Sequence, residues 1–219
     1  MSKESYPMPE LRSRDIVVVA ILGEIVGLFA YAIIRAQQFA LPVSGAILLL
    51  VLLVGVPIAA AVALFIAYTL GRKVHPMIFQ FGKFAAVGFS NTAIDWGVFN
   101  LLLVPLGFTT SVYVPSKAAS FAIATLNSFF WNRFWSFDRQ GTAHIGSEAM
   151  KFYLFTAAGL GINVAVATFV KEIGPETRLW AGIAAPALAT AISMIWNFSA
   201  YRFVVFRPSP SPFVPSPKS

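Results

Sequence analysis

Two carboxylates stand where a carboxylate is costly. Asp95 lies 12 residues beyond Lys83 in a mostly apolar run, roughly 18 Å along a helix rising 1.5 Å per residue. That depth passes the middle of a hydrocarbon core about 30 Å thick. Glu24 lies near the middle of another apolar run. An ionised acid there costs at least about 2.5 kcal/mol, so it faces a cavity or a partner, or stays protonated. Asn91 sits one turn before Asp95 on the same helical face. Asn127 and Asn197 precede Arg133 and Arg202 by six and five residues, which sets each amide roughly 8–9 Å deeper than its arginine. A guanidinium offers a planar fork to a phosphate, and an amide offers donors below it. Lys117 is 16 residues before Arg133, roughly 24 Å away, and could meet the same phosphate at the opposite face. Each feature has a plainer reading. Asn and Asp also join packed helices, at about 0.6 kcal/mol per contact, and a basic residue at a helix end orients a span. Glu24 lies between Gly23 and Gly27, a small-residue spacing that lets helices approach closely.

The elements that position these residues are membrane spans. Of 219 residues, 58% are hydrophobic and 11% charged, less than half the charge of an ordinary soluble domain. Apolar runs of roughly 20 residues separate short charged clusters. Six spans are expected, at about 16–34, 45–70, 84–104, 116–134, 152–170 and 181–201. The first is too long for a signal-peptide core and reads as a retained helix. Pro57 inside the second predicts a kink or tilt. Twelve of the 16 basic residues fall on one side of this map and four on the other, which puts both termini in the cytoplasm. Trp131, Phe134, Trp135 and Phe137 on the fourth span, and Tyr201, Phe203 and Phe206 on the sixth, read as aromatic belts at headgroup depth. The Pro/Ser segment 208–219 has little to bury and is expected to be disordered. The chain thus divides into 1–76, an N-terminal segment with an extra hairpin; 77–207, a four-helix membrane domain; and the tail 208–219.

Spans three and four echo spans five and six. Both pairs open on Lys-Phe, at Lys83 and Lys151, and both close on Arg-Phe-x-x-Phe, at Arg133 and Arg202. Two hairpins entering from the same side form a parallel repeat about an axis along the membrane normal. The fold class expected is an all-α integral membrane protein of six transmembrane helices, the last four a doubled hairpin. The offset matches Asn163 to Asp95 and Gly159 to Asn91, which suggests one polar site shared by the two halves.

The runs KFAAVGFSNTAIDWGVFNLLL, LNSFFWNRFWSFD and IWNFSAYRFVVFR resemble the GtrA-like family of four-span membrane proteins, over about residues 80–207. The Gly88-x-x-Asn91-x-x-x-Asp95 run and the two Asn-bearing, Arg-Phe-terminated helices carry the likeness. The resemblance implies a doubled hairpin and a role in cell-surface polysaccharide synthesis, moving polyprenyl-phosphate-linked sugars across the cytoplasmic membrane. A related module is fused to some dolichol-phosphate mannose synthases. This chain departs in its extra hairpin, residues 16–70, and in carrying no fused glycosyltransferase domain.

Other chemistries lack their residues. Cysteine is absent, and His75 and His144 are far apart, so no metal site is expected. No phosphate-binding glycine loop, Ser-His-Asp set, H-E-x-x-H or dinucleotide fingerprint occurs. An enzyme is not expected, nor a cofactor, nor nucleic acid as a partner, since the net charge of +7 flanks apolar runs. The leading expectation is flipping of a polyprenyl-phosphate sugar, with Asn91, Asp95, Lys117, Asn127, Arg133, Asn163, Asn197 and Arg202 as the residues that meet it. Without an ATPase the movement runs downhill. The alternative is a non-transporting scaffold for a membrane glycosyltransferase. Proton-coupled transport through Asp95 or Glu24 ranks third. Four spans are few for enclosing a headgroup, so a homodimer in the bilayer is expected.

Overall fold

The structure is a computed structural model that describes residues 8–36, 41–106, 110–139, 141, 144–175 and 184–207. The tail 208–219 and the loop positions Gln38, Gly107 and Glu176 lie outside the described residues. All regular structure among the described residues is helical: α1 (Ser13–Ala36), α2 (Gly45–Lys73), α3 (Met77–Leu106), α4 (Thr110–Trp131), α5 (Ile145–Ile173) and α6 (Ala185–Ala200). Five of the six expected spans are long and apolar enough to cross a membrane: α1, α2, α3, α5, and α6 with its continuation to Val205. The fourth falls short on apolarity, not length. Its 22 residues extend about 33 Å, but they include Ser116, Lys117, Ser120, Thr125, Asn127 and Ser128.

The chain divides into two compact units, the first ending at Asp138 and the second starting at Arg139. In the first unit, glycines set the helix spacing. A Cβ on Gly23 would lie 2.6 Å from Pro57 Cα, and one on Gly27 would lie 2.7 Å from the Leu52 carbonyl oxygen. The Gly23/Gly27 pair therefore brings α1 against α2, as its spacing predicts. Phe29 lies over Gly97 of α3 in the same manner. Val18, Val19, Leu22, Leu64, Phe79, Val87 and Trp135 form the core beneath. Ser44 caps α2 by accepting from the Ile47 amide at 3.3 Å. Large apolar side chains such as Leu50, Val51, Phe65 and Leu70 stand exposed on α2, a face suited to lipid.

The second unit is the α5–α6 hairpin. Phe152 stacks on Tyr201 with ring centroids 4.3 Å apart, and the Tyr201 hydroxyl lies 2.6 Å from Thr156 Oγ1. Arg139 closes the start of α5 by donating to Glu148 at 3.2 and 3.0 Å.

The last helix of each unit ends in a wider turn. Asn132–Ser136 and Tyr201–Val205 are π-helical. Phe137 N–H donates to the Asn132 carbonyl, and Phe206 N–H to the Tyr201 carbonyl, each at 2.8 Å. Phe137 then meets Phe84 at 6.4 Å, and Phe206 meets Phe152 at 6.2 Å. The matching Lys-Phe and Arg-Phe-x-x-Phe signatures thus make the same local contacts within each unit. Part of the expected aromatic belt is corrected here. Trp135, Tyr201 and Phe206 are buried, whereas Phe134 and Phe203 stay exposed.

Candidate functional site

The first unit joins Asp95 to α4. Lys117 Nζ donates to Asp95 Oδ2 at 2.5 Å, and Ser120 Oγ donates to Oδ1 at 2.7 Å. Asp95 lies 11 residues before the end of α3 and Lys117 seven after the start of α4, so across an antiparallel hairpin a lysine assigned to one face reaches an acid assigned to the middle. The acid's partner is this lysine and not Asn91. Lys117 remains partly open, with 43% of its side chain exposed against 17% for Asp95, and its ammonium also sits 5.4 Å from the Phe99 ring centre.

Further along the same helices lie polar atoms without hydrogen-bond partners among the described residues. They include Asn91 Oδ1, Asn127 Nδ2 and Ser90 Oγ. A buried amide or hydroxyl left unmatched costs about 1–3 kcal/mol. Three such atoms fall on this one helix pair. Arg133 follows in the π turn. It is buried, its guanidinium carbon 4.7 Å from the Phe134 ring centre. A basic residue at a helix end usually keeps its charged head in water; this one is buried. Such wide turns are uncommon and are often found at functional sites.

The second unit holds the remaining candidates. Asn163 Nδ2 donates to Ser193 Oγ at 3.2 Å, and Ser193 Oγ donates to the Thr190 carbonyl at 3.0 Å. The Asn197 amide fills the space above Gly159, where any Cβ would collide with it. Its Oδ1 is buried and accepts no hydrogen bond among the described residues. Arg202 occupies the π turn, 5.7 Å from the Phe203 ring centre. Glu24 is half-buried on α1.

Asp15 was not among the sequence candidates, yet it is a carboxylate held on several sides. It is fully buried and accepts from Lys83 Nζ at 2.6 Å, Trp135 Nε1 at 2.9 Å and the Arg12 amide at 3.0 Å. The nearby Asp138 adopts φ +47°, a conformation that Asp tolerates better than most residues, and accepts from Arg14 at 2.8 Å. A carboxylate just ahead of an apolar run was the available signal. Its partners, 68 and 120 residues away, gave none.

Comparison with known proteins places this arrangement. The family described as GtrA/DPMS, transmembrane domain, matches residues 83–206, just over half of the chain. The chain is 31% identical over 138 residues to the Uncharacterized membrane protein YngA of Bacillus subtilis (strain 168), a match spanning 63% of this chain and 84% of that one. No solved structure matches. The matched stretch opens on Lys83, closes on Phe206, and contains every candidate residue from Asn91 to Arg202; this chain is a multi-pass membrane protein of the GtrA/DPMS transmembrane-domain family.

Proposed function

We propose that the chain moves a polyprenyl-phosphate-linked sugar between the leaflets of the cytoplasmic membrane, with both termini in the cytoplasm, to supply cell-surface polysaccharide synthesis. The observation that carries this reading is the run of buried, unmatched polar atoms Ser90 Oγ, Asn91 Oδ1 and Asn127 Nδ2 on the helices that also hold Asp95 and Lys117. Sugar hydroxyls both donate and accept, so they suit unmatched amides and hydroxyls. Arg133 and Arg202 take the phosphate, which a guanidinium binds through paired hydrogen bonds. Lys117 meets it at the far end, in exchange with Asp95. Asn163 and Asn197 are the polar candidates of the second hairpin itself. The lipid tail stays in the bilayer, and consumption of the sugar outside pulls the movement forward. No bond is made or broken by the protein.

One observation favours the scaffold reading instead. Asp95 is already satisfied by Lys117 and Ser120, as a purely structural polar contact would be. In that case the chain anchors a polyprenyl-phosphate glycosyltransferase and transports nothing. Proteoliposomes of the full chain separate the two. Transport predicts equilibration of a labelled polyprenyl-phosphate sugar between leaflets; a rate equal to that of empty liposomes, with folded protein, favours the scaffold.

A further inference from the structure

The hairpin that precedes the family match carries a feature of its own. Between α1, α2 and α3 lies an apolar groove of about 450 Å³. Small residues on α2 and α3 line it, among them Ala59, Ala63, Ala85 and Ala86, while Gly23 and Gly82 are points of close helix contact along it. On α2 it runs from Val56 to Leu70, roughly 21 Å along the helix. Just beyond Leu70, α2 closes on Arg72 and Lys73, both exposed and neither paired with a carboxylate among the described residues. Arg72 touches only the Tyr68 hydroxyl and ring, at 3.4 and 5.9 Å.

We infer that this groove holds the hydrocarbon chain of a polyprenyl phosphate, whose phosphate rests on Arg72 and Lys73. Three arguments converge. An apolar-lined space excludes water and forfeits dispersion contacts unless something fills it; inside a bilayer the filler is hydrocarbon. The two cations that follow the groove's last α2 residue favour an amphiphile with an anionic head. The length selects the tail. One leaflet is about 15 Å deep, half of a core of about 30 Å. A phospholipid chain anchored at these cations ends near the midplane, whereas the groove continues past it. A polyprenyl chain is long enough to occupy the whole groove. The site lies mostly outside the family match and would hold the lipid at the start of α3, the helix that leads to Asn91 and Asp95. The inference rests on the reading that the substrate is a polyprenyl-phosphate lipid.

The test uses the full chain in nanodiscs and a diazirine-bearing polyprenyl phosphate. Crosslinks should concentrate on groove residues of α1, α2 and α3. Unlabelled polyprenyl phosphate should compete and phosphatidylglycerol should not. Ala59→Phe and Ala63→Phe fill the groove, and each should lower labelling about threefold, since single packing contacts within a membrane are modest. Arg72→Gln with Lys73→Gln should lower it comparably. Val62→Phe, on the same helix but outside the groove, should leave it unchanged. Crosslinks spread evenly over the lipid face of wild-type α2, or equal competition by phosphatidylglycerol, would overturn the inference whether or not the variants fold. Leaflet exchange is read separately. Groove labelling without exchange removes the transport reading and leaves this site standing; exchange without groove labelling does the reverse.

Discussion

Asp95 and Lys117 hold each other across α3 and α4, and the charge pair can serve a path or merely a fold. The two roles part when the pair is replaced as a unit. Asp95→Asn alone leaves Lys117 without its counter-charge and should lower leaflet exchange by about tenfold, less than the loss of one partner of a fully buried pair costs, since Lys117 is partly exposed. The double variant Asp95→Leu/Lys117→Leu removes both charges, a change that packed proteins often tolerate. A path role predicts a folded, inactive protein, whereas wild-type exchange by the double variant would assign the pair to packing alone. At this scale the sequence was partly legible. The depth of Asp95 could be counted from Lys83, so its cost was visible. The identity of its partner was not, because that depends on how far α4 slides along α3. Asp15 was hidden for the same reason, its partners being distant in sequence, while Gly23 and Gly27 were legible because a packing contact between consecutive helices is written in local spacing.

Among elements, one carboxylate ties α1 both to α3 and to the π turn that follows α4. Asp15 is fully buried and Lys83 retains 13% side-chain exposure, so neither charge has much water to fall back on. Asp15→Leu should destabilise the protein by about 3–5 kcal/mol by stranding Lys83. Adding Lys83→Met to that variant should recover much of the loss, because an apolar pair replaces a buried ionic one at little cost. Unfolding in mild detergent, followed by the fluorescence of Trp135 and the other tryptophans, gives the double-mutant cycle; no recovery would mean that the contact with Trp135 matters more than the charge pair. The π turns show where pattern reading stops. The Arg-Phe-x-x-Phe signature announced that two helices end alike, but the widened turn depends on burying Trp135 and Phe206, which spacing alone does not reveal. Helix α4 shows the opposite case. Its flanking signals place a span, yet its serines, Lys117 and Asn127 make it the least lipid-like helix of the six.

For the whole molecule, the charge distribution gives a topology that labelling can check. Single cysteines at Gln38, Gly107 and Glu176 should react with an impermeant thiol reagent from outside, and one at Gly141 should not. The native chain has no cysteine, so the background is clean. External labelling of Gly141 would reverse the map. The Asp15 contacts also bear on how such a chain is made. Synthesis proceeds from the N-terminus at about 5–20 residues per second, and Trp135 lies 120 residues after Asp15. For roughly 6 to 24 s on that scale, the first helix has entered the bilayer while one of its anchoring donors has yet to leave the ribosome. Lys83 emerges midway through this interval. Asp15 must wait at the edge of the membrane, where water can still reach it, and is sealed only after α4 arrives. Helices α1 and α2 are thus made before the donor that completes the contacts of Asp15, so a nascent chain stopped short of Trp135 would hold α1 in an unfinished seat.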